Sequence, residues 1–310
     1  MKKLKLAIVY LLTRVSYSCS DPAITDDLLD GTILFDPSLY NPERYLVSAK
    51  YPNPTTADLD RHIILTIHGY SATTFEWQEF KDWSDSSPSY RISQVLLDGH
   101  GRDYQSFKAS TWQDWRSAIT EEYEKLVALG YTKISMVGSS TGGTLILELI
   151  SSGYFNSHLP PKNLFLVDAI VVPSVKLQSV VGLIGPMIVF TEVDQTSQEN
   201  KYWYRFRPKK TIDELNNVMR VVRKDLENGV KLPAGTYLKE FHSLHDPVAS
   251  STSSVLIYKG LKTSTGANID VQLMDSDIHV FTRLSLRSTI TPVQKANQLD
   301  AFSQIAIKLK

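Results

Sequence analysis

Cysteine is almost absent. A single one, Cys19, occurs in 310 residues, so neither an intrachain disulfide nor a cysteine-built zinc site can form. Net charge is missing as well. Lysine plus arginine number 33 and aspartate plus glutamate 33, which leaves no overall field to gather nucleic acid or to steer a strongly charged substrate. Histidine is sparse, with seven scattered along the chain. His242 and His245 stand close together but without the helical His-Glu-x-x-His setting of a metal site, and nothing else calls for a metal or an organic cofactor. The N-terminal apolar stretch is too short for a transmembrane helix of about 20 residues. Repeats and low-complexity tracts are lacking too.

What is present is punctuated order. Met1-Lys2-Lys3, an apolar stretch over residues 4–12 and then Ser18-Cys19-Ser20 read as a bacterial lipoprotein signal spanning residues 1–19. Cys19 would be the lipidated residue, and the expected location is a bacterial membrane, with the protein facing an extracytoplasmic space. Lys5 and Arg14 interrupt the apolar stretch, and a cytoplasmic chain is the alternative. Residues 20–59 form a lead-in marked by Asp21-Pro22, Asp36-Pro37 and Asn41-Pro42, all turn signals, with a first strand expected over 45–51.

From residue 60 the pattern changes. Ile63-Ile64-Leu65-Thr66-Ile67 is an apolar run of the kind buried on both faces of a parallel sheet, and His68-Gly69-Tyr70-Ser71 follows it. Gln94-Val95-Leu96-Leu97 ends likewise in Asp98-Gly99-His100-Gly101. Trp112, Trp115, Ile119, Tyr123 and Leu126 recur at helical spacing after a capping box expected at Ser110-Thr111-Trp112-Gln113. Asn163-Leu164-Phe165-Leu166-Val167 supplies another strand. Strand and helix alternate, which argues for a largely parallel α/β sheet.

Over 173–233 the alternation breaks, as an insertion would make it. Residues 180–190 are mostly apolar and suit either an acyl pocket or lid or plain cap core. Thr211-Ile212-Asp213-Glu214 opens a helix whose Ile212, Leu215, Met219, Val222 and Leu226 share a face. The basic and aromatic run from Lys201 to Arg207 reads as cap packing or a solvated segment rather than a nucleic-acid patch. The sheet resumes over 236–241 and 269–274, and 292–309 forms a last helix. The expected division is a core of 60–172 and 234–310 with a cap of 173–233.

The chemistry centres on Gly138-Ser139-Ser140-Thr141-Gly142-Gly143. Gly138 and Gly142 bracket Ser140 at the spacing of a nucleophile elbow, where a strand turns sharply into a helix and the flanking positions tolerate only hydrogen. Asp246 follows at one later strand end and His279 at the next, in the order serine, acid, histidine. Asp275 and Asp277 are rival acids, but they are so near His279 in sequence that loop shaping suits them better.

These residues resemble the carboxylesterase and monoacylglycerol-lipase branch of the α/β-hydrolase superfamily. The anchors are His68-Gly69-Tyr70-Ser71, Asp98-Gly99-His100-Gly101, the Ser140 elbow, His245-Asp246-Pro247-Val248 and Ile278-His279-Val280. Ser243 stands where that family often has glycine, and Lys239 and Glu240 lie in a strand that is usually more apolar. The resemblance implies an α/β-hydrolase fold with a helical cap, a Ser140-Asp246-His279 triad and backbone oxyanion donors at Tyr70 and Thr141. His68 and His100 are expected to brace loops, with His68, Ser71 and Ser139 as candidates to lie near a small-molecule or lipid ester, and no feature demands a metal or cofactor. Fold and triad do not choose the leaving group. An acylglycerol lipase, a peptidase, a carbon-carbon bond hydrolase or a non-catalytic binding protein stays open beside a carboxylic ester hydrolase.

Overall fold

The computed structural model describes residue 29 and residues 35–84, 89–174 and 190–310. Three short helices lead in, α1 (Pro42–Tyr45), α2 (Val47–Lys50) and α3 (Thr56–Leu59). The apolar runs then become strands separated by helices: β1 (His62–Ile67), α4 (Gln78–Ser84), β2 (Tyr90–Val95), α5 (Tyr104–Ala109), α6 (Trp112–Ala128), β3 (Ile134–Ser139), α7 (Thr141–Ser151) and β4 (Asn163–Val167). Next come a small antiparallel pair, β5 (Phe190–Glu192) and β6 (Phe206–Pro208), and the long helix α8 (Lys209–Asn228). The chain ends with β7 (Val230–Lys231), β8 (Tyr237–Ser243), α9 (Thr252–Gly260), β9 (Leu261–Lys262), β10 (Asp270–Met274) and α10 (Pro292–Ile307).

The central sheet has six strands in the order β10-β8-β4-β3-β1-β2, and every neighbouring pair is parallel. Its burial follows from the continuous apolar runs, because a parallel strand has helices on both faces. Ile63, Leu65, Ile67, Met136, Leu164 and Leu166 face one core together with Trp115 and Ile119 of α6, Leu145 of α7 and Met219 of α8. Ile64, Val137, Phe165, Val167 and Phe241 face the other, against Trp77, Phe80 and Phe302. From β1 the chain passes outward to β2 and then returns to the opposite side as β3. The strand order therefore reverses at β1, and the crevice at its C-terminal end is where such sheets bind ligands. No helix among the described residues is long and apolar enough to cross a membrane.

Residues 45–51 are not the expected strand. They fold as α1 and α2 because local and tertiary bonds claim their backbone first. Asn41 caps α1 by accepting from Glu43 N, with Pro42 at the first helical position. The amides of Val47 and Ser48 donate to Ser93 Oγ and to the buried Glu122 carboxylate at 3.0 and 3.2 Å, which leaves them unavailable to a ladder. The loops at His68 and Asp98 thus follow the first and second described strands. The capping box of α6 is formed by Thr111 with Asp114, one residue beyond the expected register. Helix α8 begins at Lys209 after Pro208 without a side-chain cap, and the Thr211 hydroxyl donates to Pro208 O at 2.9 Å instead. Cys19, with the whole of residues 1–28, lies outside the described residues, as do positions 180–189 of the apolar segment.

Candidate active site

Ser140 joins β3 to α7 with φ 49° and ψ −117°. A residue other than glycine held at positive φ costs on the order of 1–3 kcal/mol and persists only where its surroundings enforce it. Here the enforcement is steric. A Cβ at Gly138 would lie 2.5 Å from the carbonyl carbon of Gly142, and one at Gly142 would lie 2.4 Å from Ile67 O. The helix can therefore start directly against the end of β1. The Ser140 amide donates to Val167 O at 2.9 Å, and the side chain stands free of its own turn.

Three side chains from three strand ends meet at this point. His279 Nε2 is 2.9 Å from Ser140 Oγ, and His279 Nδ1 is 2.8 Å from Asp246 Oδ2. Asp246 Oδ1 accepts from the amides of Val248 and Ala249 at 2.7 and 3.0 Å. Asp275 and Asp277 make no such contact with His279; Asp277 accepts from Gln294 Nε2 at 3.2 Å. Burial alone would lower the His279 pKa, but the Asp246 charge and hydrogen bond outweigh it and the net shift is upward. For Asp246 burial would raise the pKa, and His279 with the two amides turns the net shift downward. The two groups hold each other in the pairing of a carboxylate with a basic imidazole. The loop carrying His279 is pinned from outside. Arg287 Nη2 donates to His279 O at 2.8 Å, and Glu79 Oε1 accepts from the amides of Leu284 and Ser285 at 2.7 and 2.6 Å.

Beside Ser140 run the loop after β1 and the first turn of α7. Among the described residues, no hydrogen bond leaves the backbone amides of Tyr70 or Thr141. The Gly69 amide donates to Glu76 Oε1 at 2.7 Å, and Tyr70 Oη is 2.7 Å from Thr211 Oγ1, so loop and cap are tied together. Of the three side chains expected near substrate, only Ser71 lines the cavity above Ser140. His68 is turned into the loop: Nδ1 donates to Gly69 O at 2.9 Å and Nε2 accepts from Leu97 N at 3.0 Å. Its pKa is lowered to about 4 by burial, in keeping with a neutral ring that braces backbone. Ser139 Oγ donates to Glu76 and to Ile67 O, beneath the elbow rather than above it.

Sequence reasoning missed the charges behind this triplet. Asp168 directly follows β4, buried and at φ 49°. Its carboxylate accepts from Ser243 N at 2.6 Å and Phe281 N at 3.1 Å. Burial, with the neighbouring Asp246 charge, raises its pKa to about 6. His242 is fully buried, with Nδ1 3.6 Å from Glu240 Oε1. Burial would lower the His242 pKa, but Glu240, Asp168 and Asp246 together lift it to about 9. Asp168, His242 and Asp246 each bring one ligand atom within 4.8 Å of the others, a spacing a metal could use. The four oxygens of Asp168 and Asp246 already accept hydrogen bonds, and the raised pKa of His242 favours a positive charge beside them. The signal for Asp168 was its place at a strand's C-terminal end, shared with His68 and Asp246.

A cavity of about 1450 Å³ opens over Ser140 and His279. Ile170, Trp203, Ile212, Leu215, Met219 and Ile278 give it apolar walls, and Glu76, Arg207, Arg283 and Arg287 place charges among them. Arg283 lies over the Trp203 ring at 4.5 Å and 3.8 Å from Glu199.

No family model matches the chain. A thermostable monoacylglycerol lipase from Bacillus sp. (strain H-257) is 30% identical over 86 residues, which is 28% of this chain and 34% of that protein. The match therefore spans about a third of that curated relative. Among solved structures, one from a study of the metagenome-derived lipolytic enzymes LipS and LipT superposes with a TM-score of 0.63 at 18% identity, covering 80% of this chain and 94% of the other. A soluble variant of monoglyceride lipase from Saccharomyces cerevisiae gives 0.61 at 13% identity, covering 83% and 89%. The monoacylglycerol lipase of Paleococcus ferrophilus gives 0.59 at 13%, covering 80% and 95%. The chain has the α/β-hydrolase fold.

Two outcomes follow from the packing and the charges. Gly142→Ala should destabilise the protein by about 1–3 kcal/mol or more through overpacking, read by urea unfolding; wild-type stability would mean that the β3-to-α7 turn is looser than described. His242→Leu should cost about 3–5 kcal/mol by leaving buried carboxylates without their cation. The folded-state pKa of His242, about 9, lies above its ordinary 6.5. Its contribution is then complete below pH 6.5 and is lost as pH rises through about 9. The gap between wild type and variant should close over that window, and a gap that widens would show that His242 is not the stabilising cation.

Proposed function

We propose that the protein is a serine hydrolase that cleaves carboxylic esters of apolar acyl chains through an acyl-enzyme on Ser140. The observation that carries this reading is the hydrogen-bonded chain Ser140–His279–Asp246 beneath an apolar cavity. A serine hydroxyl is a weak nucleophile near neutral pH until a base takes its proton. His279 Nε2 would accept that proton as Oγ attacks the ester carbonyl carbon, with Asp246 fixing the tautomer and stabilising the imidazolium. The amides of Tyr70 and Thr141 would donate to the carbonyl oxygen as it becomes negative, a term worth about 100 to 1,000-fold in rate per donor. His279 would then protonate the departing alkoxide. Water repeats the sequence on the acyl-enzyme, releasing the acid and restoring the serine.

The lipolytic names of the similar proteins support an ester bond as the point of attack. The basic and apolar start of the chain supports a lipid anchor at Cys19, which would hold the enzyme at a membrane where acyl esters partition.

An ester panel of graded acyl length tests the reading. Ser140→Ala should lower turnover by about 10,000-fold or more, and unchanged hydrolysis in that variant would overturn it. Asp246→Asn should lower turnover on the order of 10,000-fold, whereas Asp275→Asn and Asp277→Asn should not. Because the base must be neutral and its pKa is raised, the rate should climb with pH through a midpoint above 6.5. Asp246→Asn should move that midpoint down. A wild-type midpoint below 6.5 would contradict the pairing.

A further inference from the structure

Most charges in the cavity wall are answered within the protein. Glu76 accepts from Gly69 N, Glu192 pairs with Arg205, Glu199 pairs with Arg283, and Arg287 donates to the carbonyls of Arg283 and His279. Arg207 is different. It sits on β6 opposite Thr191 of β5, and both residues line the cavity. Its Nε is buried without a hydrogen-bond partner. Among the described residues no carboxylate stands within ion-pair distance of it, although Arg205, two positions earlier and exposed, has Glu192. The Tyr70 ring lies 5.8 Å from the Arg207 guanidinium carbon. Tyr70 is the residue whose amide is proposed to hold the oxyanion, and Arg207 lines the same cavity as Tyr70, Ser140 and His279.

A partly buried guanidinium without a counter-charge is costly to maintain, and a cation facing an aromatic ring offsets only part of that cost. The planar fork of arginine matches the two oxygens of a carboxylate or phosphate. We propose that Arg207 binds an anionic group, carboxylate or phosphate, carried by the ester, so that the substrate class is acidic acyl esters rather than neutral ones. The inference rests on the ester-hydrolase reading. It also gives the bound molecule a direction. Arg207 on the cap draws the charged end toward β6 and leaves the ester over Ser140.

The test has two arms on the full chain. In the first, Ser140→Ala protein, unable to turn over its ligand, is titrated calorimetrically with lauroyl lysophosphatidic acid, the half-ester monododecyl succinate and neutral monolauroyl glycerol. This arm reports anion recognition even if no ester is hydrolysed. In the second, kcat/KM is compared for para-nitrophenyl pentanoate and the half-ester para-nitrophenyl glutarate. Turnover of either by the wild type, and its loss in Ser140→Ala, checks the ester-hydrolase reading separately. The acidic probe should be favoured about tenfold or more in each arm, and Arg207→Gln should reduce that ratio by a similar factor, as expected for a charge-assisted hydrogen bond. A stronger response to the phosphate or to the carboxylate probe identifies which anion is read. A wild-type ratio at or below unity overturns the proposal, as does an unchanged ratio in Arg207→Gln. Should that variant not fold, the wild-type ratio alone decides.

Discussion

The turn at Ser140 closes only because no side chain stands at Gly138 or Gly142. With a Cβ at either position the elbow would run into backbone far inside van der Waals contact, at 2.5 or 2.4 Å, and α7 would have to retreat from the end of β1. Strands β1 and β3 are sheet neighbours in the register Ile67 with Gly138. Close packing there sets the loop after β1 beside the elbow, so that even a Cβ added at Gly69 would lie 3.0 Å from Ser140 Cβ. The closeness of the loop after β1 to the elbow is a consequence of sheet register and of two missing side chains. The strained φ of Ser140 is the local cost, and the sheet supplies the rigidity that sustains it.

A second constraint is electrostatic. The C-terminal edge of the sheet gathers the buried carboxylates Asp168 and Asp246, with Glu240 buried in the middle of β8, a concentration of like charge that would unfold the edge or protonate its members unless answered. Each oxygen of Asp168 and Asp246 receives a hydrogen bond, and the raised pKa of His242 places a cation among them. Asp246 can thus remain ionised while buried, which in turn raises His279. The basicity proposed for His279 is built from strand ends that never touch the cavity.

Legibility from sequence divided along physical lines. The core strands could be read because a parallel strand must be apolar on both faces, and 63–67 and 163–167 are nearly uninterrupted. Asp246 is legible from its position at a strand end, and it lies 2.8 Å from His279 where Asp275 and Asp277 do not. Residues 45–51 alternate like a strand, yet their amides go to Ser93 and Glu122, partners distant in sequence that no local pattern reveals. His68 and Ser139 neighbour the elbow in space and in motif, but side-chain direction, set by backbone turns, sends both inward. Glu76, Arg207 and His242 act through what surrounds them after folding, and a run of sequence holds no trace of whether a charge will find its partner.

The claim on which the functional account stands is that Ser140 is acylated during turnover. Acid quench within the first turnovers of para-nitrophenyl laurate, followed by peptide mass spectrometry, reads this directly. A lauroyl group on the peptide that carries Ser140, absent from Ser140→Ala protein, is the expected result. Ester hydrolysis at full rate with no acyl group there, or with the acyl group on another peptide, would contradict it.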